Sequence, residues 1–418
     1  MARSTRDRPK LRPLETIVVP DPEHGRVLVL RDTQGVAGSY ASIPPALVPI
    51  LARFNGEETC EQIARGVSRQ VGQTVSVELV ERLRDELDAS LFLDTPAYRE
   101  ALERVNREFR DAAVRPASHA GGAYYADPTE LASYLGERCL DQATRAPSRT
   151  VAKGRFLAGL IAPHIDPWRG ALGYGEAYST LKNGLAPEAD TFVVFGTSHA
   201  PMQEPFALCR KGYGTPLGTM EADVDAIDWL AARCPYDAYS DVLNHKREHS
   251  IEFQAVFLKH VLGDRPARII PILASLGRHQ ALRTDPRGDG RAMALLEAVR
   301  ELVALRGSRV VVIAGADLAH VGPRFGDPAG FDADQRKALE STDQDSLNLA
   351  TAGDATGFWE QVAADLDTRR VCGLGPIYAM LQTLPTGSAG EVVHYEQTVD
   401  GEDGSIVSHA AVAFEAPA

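Results

Sequence analysis

Residues 309–320 read RVVVIAGADLAH, and this stretch decides the fold. Val310-Val311-Val312-Ile313-Ala314 is an unbroken apolar, β-branched run of strand length, with no polar alternation along it. Such a run suits a strand covered on both faces. It ends in the short turn Gly315-Ala316 and then presents Asp317 and His320. Working outward, runs of the same kind lie at 156–161, 191–195 and 268–273. Helical patterns at 173–181, 223–233, 251–261 and 293–305 alternate with them. Alternating strands and helices predict an α/β domain: a mostly parallel sheet flanked by helices on both faces. Sites in such sheets lie beyond the carboxyl ends of the strands.

Those ends carry the chemistry. His164 follows the run 156–161 after Ala162-Pro163, and His199 follows the run 191–195 through Gly196-Thr197-Ser198. With Asp317 and His320, three strands each end in a turn that offers histidine at one edge. They converge if the strands are neighbours. His249 and Glu252, three apart at the start of a helical pattern, share one face. Imidazole suits iron, zinc and copper, and two histidines with a carboxylate suit oxygen-activating iron(II). A metal-held water is the hydrolytic alternative. His245 and His249 also form an HxxxH pair, but the residues between them read as a loop before the helix. His24, His119, His260 and His279 read as turn or surface residues, and His394 and His409 as parts of strands.

Rival chemistries lack their motifs. No GxxxxGK[ST] or GxGxxG follows a strand, and Cys372-Gly373-Leu374-Gly375-Pro376 reads instead as the start of a helix with proline in its first turn. Ser198 adjoins His199, yet there is no GxSxG elbow.

The 418 residues exceed one ordinary core and imply at least two domains. Residues 1–14 are basic and proline-containing and are expected to be a disordered tail. Residues 15–94 hold a hairpin around Pro20-Asp21-Pro22-Glu23-His24-Gly25, then three short helical patterns: a small winged-helix-like α+β domain. Residues 95–119 are charged and helical, the expected connector, and 120–418 form the α/β domain. Residues 284–290 are expected to be an exposed polar loop. A net charge of −13 gives no footprint for a nucleic-acid backbone. Five scattered cysteines make neither a zinc ribbon nor a secreted disulfide framework. The opening residues have no secretory apolar core, and no run approaches the ~20 apolar residues of a membrane span, so the expected compartment is the cytoplasm, with no membrane partner.

The ordered set Ala120-Gly121-Gly122-Ala123-Tyr124-Tyr125, Ala162-Pro163-His164, Gly196-Thr197-Ser198-His199, Thr215-Pro216-Leu217-Gly218, Glu248-His249-Ser250-Ile251-Glu252 and Asp317-Leu318-Ala319-His320 resembles the Memo family, which includes the B component of the AmmeMemoRadiSam system. The resemblance extends through Cys372-Gly373-Leu374-Gly375-Pro376-Ile377 to Phe414. It implies a fold similar to class III extradiol dioxygenases and a metal pocket at the sheet edge. It also implies two histidine ligands, His164 and His199, and a cysteine whose place falls on Ala319. Alanine binds no metal, so His320 is the expected third ligand and Asp317 the fallback. His249 and Asp317 are the expected catalytic residues, with His249 as acid/base. The expected cofactor is a divalent metal, iron first, with zinc and copper as alternatives.

Residues 15–94 resemble PqqD-type peptide-recognition elements through the Asp-Pro hairpin, Phe54-Asn55-Gly56-Glu57-Glu58-Thr59 and Leu91-Phe92-Leu93-Asp94. That resemblance implies a peptide added to the hairpin edge. The expected function is a non-heme-iron-type oxidoreductase acting on a peptide or small aromatic substrate. The alternative is a non-catalytic metal-binding scaffold beside a radical SAM partner.

Overall fold

The computed structural model describes residues 7–32, 35–37, 40–144, 151–276, 286–401 and 403–418. The chain divides into two compact units, Met1–Ala112 and Ala113–Ala418.

In the first unit, β1 (Glu15–Asp21) and β2 (Gly25–Arg31) form the expected antiparallel hairpin, and β3 (Ala41–Ile43) pairs with the other side of β2. Four helices follow: α1 (Val48–Leu51), α2 (Cys60–Val71), α3 (Val77–Ala89) and α4 (Pro96–Asp111). Thr59, Ser76 and Thr95 start the last three by accepting a backbone N–H, and Thr59 forms a reciprocal capping box with Gln62. The core gathers Leu30 and Ile43 from the sheet with Ile50, Phe54, Ile63, Val67, Val80, Leu83 and Leu87.

Two expected boundaries shift. Within the supposed tail 1–14, Lys10 bridges Asn55, Leu11 bridges Leu93, and buried Arg12 pairs with Asp32 at 2.9 Å. Arg12 also lies 4.7 Å over the Tyr98 ring. Basic composition gives no hint that one arginine has a buried carboxylate waiting 20 residues on. Because Tyr98 belongs to α4, that helix is part of the first unit rather than a connector, while 113–119 belong to the second.

The second unit begins with β4 (Val114–Arg115) and α5 (Pro128–Ser133), then β5 (Arg155–Ala162), α6 (Ala171–Gly184), β6 (Thr191–Thr197), β7 (Phe206–Leu208), β8 (Gly212–Thr215) and β9 (Gly218–Ala222). It continues through α7 (Val224–Ala231), α8 (His249–Leu262), β10 (Arg268–Ala274), α9 (Gly290–Arg306), β11 (Val310–Gly315) and β12 (Asp317–Val321). It closes with α10 (Ala333–Thr351), α11 (Ala355–Ala363), α12 (Leu374–Thr383), β13 (Ala389–Val399) and β14 (Ile406–Pro417).

The sheet centre runs β5-β11-β6-β10, all parallel, so the three histidine- and aspartate-bearing strands are immediate neighbours. Beyond β5 the sheet turns antiparallel: β14 pairs with β5 on one side, and β12 and β13 both pair with β14. The architecture is therefore α/β with a mixed sheet, parallel where the site forms. Successive side chains of β11 divide between two apolar layers. Val310, Val312 and Ala314 join one with α9, α11 and α12, and Val311 and Ile313 join the other with α6 and α8. That double coverage explains the unbroken apolar run. The loop expected at 284–290 starts outside the described residues, as does His279; from Pro286, which is buried, it is a single 3-10 turn.

Candidate metal centre

Gly196 and Gly315 let the site close. A Cβ on Gly196 would stand 2.5 Å from Ser250 Oγ, and one on Gly315 would stand 2.4 Å from the Ser250 carbonyl. Only glycine at the ends of β6 and β11 allows the first turn of α8 to abut the sheet edge, bringing Glu248 and His249 to His164 and His199.

His164 is 2% exposed, and its surroundings fix its tautomer. Its Nδ1 lies 2.9 Å from the Gly315 carbonyl oxygen. A carbonyl only accepts, so Nδ1 carries the proton and Nε2 carries the lone pair. That Nε2 lies 3.1 Å from Cys372 Sγ. Burial pushes the His164 pKa down, so the ring is neutral. The backbone N–H of His164 donates to Asp317 Oδ1 at 2.8 Å. Burial works against the Asp317 charge, yet the neighbouring His164, His409 and His320 rings hold its carboxyl below the usual range.

His199 is organised in the same way by Glu248. The His199 backbone N–H donates to Glu248 Oε2 at 2.8 Å, and Nδ1 lies 3.0 Å from both carboxylate oxygens. Glu248 also caps α8 by accepting the Ser250 N–H at 3.0 Å. Burial opposes its ionisation but is outweighed by His199 and His249, which hold it well below the carboxylate range. An ionised Glu248 accepts a hydrogen bond from the Nδ1–H of His199 and so makes Nε2 the lone-pair nitrogen, an arrangement common to histidines that bind metals.

The donor atoms of His164, His199 and Cys372 all lie within 4.8 Å of one another. A second trio, His199, Glu248 and His249, meets the same distance, but Glu248 already accepts from two backbone N–H groups and orients both rings. His249 stacks on His199 with centroids 4.6 Å apart and meets His164 edge-on at 5.3 Å. Burial depresses the His249 pKa to about 3, with Glu248 pulling the other way. Its side chain stays 30% exposed and that of His199 32%, so the site opens to solvent on this side.

The structure thus brings together His164, His199, His249 and Asp317, and it is Cys372 rather than His320 whose donor atom lies within 4.8 Å of those of His164 and His199. His320 Nδ1 reaches the carbonyl of Leu318 in its own strand at 3.3 Å, and its ring meets Phe325 edge-on. Burial lowers its pKa to about 4. Ala319, where the resemblance placed the cysteine, packs in a small apolar cluster with Val321, Leu339 and Ile406. The sulfur that lies beside His164 is that of Cys372, just ahead of α12, whose carbonyl accepts from Thr197 Oγ1 at 2.9 Å. Asp317 is buried and accepts the His164 backbone N–H.

Sequence reading also missed a buried network under His249. Glu252 accepts from the Arg115 guanidinium, from the Tyr124 hydroxyl, and from the N–H and Nδ1 of His119 at 2.9 and 2.8 Å. Burial opposes its charge, but His119 and Arg115 hold its pKa near 2. His119, read as a surface residue, has its ring 5.8 Å from that of His249. The HxxxH pair does not form: His245 Nε2 donates to the Ala207 carbonyl at 3.0 Å and Nδ1 accepts from the Tyr213 hydroxyl at 2.8 Å. Ser198 Oγ donates to the Ala200 carbonyl at 2.7 Å, a loop-closing bond rather than the bond of a nucleophile to its base.

Comparisons with known proteins converge on this unit. The family profile described as Memo-like protein matches residues 115–413. A MEMO1 family protein of Aquifex aeolicus is 25% identical over 393 residues, covering 94% of this chain and 96% of its own. That match is longer than the second unit, so it takes in part of the first. A MEMO1 family protein of Methanosarcina acetivorans is 28% identical over 265 residues, 62% of this chain and 87% of its own. A solved structure of an uncharacterized protein from Escherichia coli K12 aligns over 62% of this chain and 99% of its own, at 14% identity and a TM-score of 0.35, too low to bear on the argument. Among the described residues, no helix is long and apolar enough to cross a membrane.

Proposed function

The chain belongs to the Memo-like family, and from that premise we propose that it is a metal-dependent oxidoreductase whose metal ligands are His164, His199 and Cys372. One observation carries this reading: two imidazoles have their Nδ1 atoms engaged by acceptors, which makes Nε2 the lone-pair nitrogen of each ring, with a cysteine sulfur 3.1 Å from one of them. Two imidazoles and a thiolate fit iron(II), copper and zinc. A redox-active metal held there supplies Lewis acidity and electron transfer toward oxygen.

The chain's own residues do the remainder. Gly315 and Glu248 fix the ring tautomers, Asp317 anchors the backbone of His164, and His249 faces the open side, where its neutral ring makes a hydrogen bond to the substrate. The loop after His164 carries Trp168, which with Tyr134, Arg138, Gln142 and Ala171 lines a cavity of about 470 Å³. None of His164, His199, His249 and Cys372 lines it, so it does not define where a substrate would meet the metal. In the first unit, β1 is the edge of its sheet, and we read its outer side as the place where a peptide substrate adds as a strand. A thiol beside His164, where Ala319 offers none, supports the enzyme over the scaffold alternative beside a radical SAM partner.

Elemental analysis of the anaerobically purified chain, beside His199→Ala and Cys372→Ser, tests the reading. Near-stoichiometric iron or copper that both substitutions remove supports it. Zinc in that place overturns the redox assignment in favour of hydrolysis, and no metal after reconstitution overturns the centre itself.

A further inference from the structure

The segment that delivers Cys372 is conformationally unlike those that deliver the histidines. Among the described residues, four non-glycine positions have positive φ, and three of them lie here: Leu366 at 60°, Asp367 at 54° and Arg370 at 55°. Left-handed backbone at residues with a Cβ is strained and persists only where surrounding contacts over-determine it. The contacts are present. Asp367 Oδ1 accepts the Val371 N–H at 2.7 Å, and the Asp367 carbonyl accepts the Arg370 N–H at 2.9 Å. The His320 N–H donates to the Arg369 carbonyl at 2.7 Å, and the Gly373 N–H to the Asp317 carbonyl at 3.0 Å. Across the outside lies Arg370, whose guanidinium donates to both Asp327 oxygens at 2.8 and 3.1 Å and to the His320 carbonyl at 3.3 Å.

We propose that Arg370 is a positioning residue: by gripping Asp327 and the His320 carbonyl it holds the left-handed turn closed and so keeps Cys372 Sγ beside His164. The inference rests on reading His164, His199 and Cys372 as metal ligands. With the grip released, the turn relaxes toward ordinary backbone and the sulfur withdraws. His164 and His199 stay, because they stand on adjacent strands of the sheet centre.

Cobalt(II) titration of the metal-free full chain separates the two arms, since a thiolate ligand adds a charge-transfer absorption that histidines do not. Arg370→Ala and Asp327→Asn are expected to bind cobalt with about tenfold lower affinity and with that absorption largely lost. Arg370→Lys is expected to restore part of it. Arg370→Gly removes the grip and the left-handed strain at 370 together, and is expected to keep more of the absorption than Arg370→Ala; an arginine that only braced the fold would leave the absorption of both variants intact while lowering the thermal midpoint. Full absorption at wild-type affinity in Arg370→Ala and Asp327→Asn overturns the proposal. Loss in Arg370→Gly alone also overturns it, since added backbone freedom would then be the cause. A wild-type chain that binds cobalt without the absorption refutes the metal-centre reading itself, which the absorption in the wild type upholds whatever the variants do.

Discussion

The histidine arm and the cysteine arm of the site are built on opposite principles. His164 and His199 follow the ends of β5 and β6 with β11 between them, in backbone outside the left-handed region, on strands backed by apolar layers on both faces. Their orienting partners, Asp317 and Glu248, are buried. Cys372 follows a turn in left-handed backbone, and the ion pair across it is 40% exposed at Arg370 and 23% at Asp327. Rigidity is intrinsic to the first arm and imposed from outside on the second. The same metal, on this reading, is gripped by one element that cannot easily move and one that is held in place.

The largest effect that sharpens this contrast lies beneath the histidine arm. The folded pKa of Glu252, about 2, lies below its ordinary 4.5. Its ionised form therefore stabilises the fold fully above pH 4.5, and the contribution is lost as pH falls toward 2. Urea unfolding of wild type and Glu252→Gln is expected to differ by roughly 3 kcal/mol at pH 7, with the gap closing between pH 5 and 2. A gap of equal size at pH 3 and pH 7 would show that the network is not held by charge. Next, Glu248→Gln loosens the tautomer of His199 and is expected to weaken metal affinity by about 10- to 100-fold, while the thiolate absorption of the bound state persists. Unchanged affinity would mean that His199 is oriented by something other than Glu248. Smallest is salt. Raising ionic strength to about 1 M screens the half-exposed Arg370–Asp327 pair and is expected to weaken the thiolate contribution by no more than about 1 kcal/mol. Equal loss of histidine and thiolate contributions in that titration would erase the distinction between the arms.

The histidine arm was also the legible one. Apolar runs ending in Pro163-His164, Ser198-His199 and Ala316-Asp317 announce their geometry, because strand ends of a parallel sheet lie on one edge. The cysteine arm was hidden. Cys372 is 52 residues past His320, and its segment carries only a helix-start signal; nothing local says that the turn before it runs left-handed. Glu248 had a readable signal as the acidic residue opening a helix, but its reach to His199, 49 residues away, is a tertiary fact. Arg115 and His119 fell in a stretch read as connector, and charge there suggested exposure. Burial of an arginine is visible only once its carboxylate partner, Glu252, is placed 137 residues later. In the antiparallel half of the sheet His394 and His409 read as parts of strands, but the pairing of β12 and β13 on β14 did not, since antiparallel partners so placed leave no local signal.

β14 sits between β5 and β12, pairing Val412 with Ile161 and Asp317 with His409. As the chain leaves the ribosome, β5, β6 and β11 emerge early enough to collapse together, but β12 gains its sheet neighbour only when residues 406–417 arrive. Loop closure over some 250 residues is slow to reward. The strand bearing Asp317, the residue that accepts the His164 backbone N–H, is therefore among the last to lock.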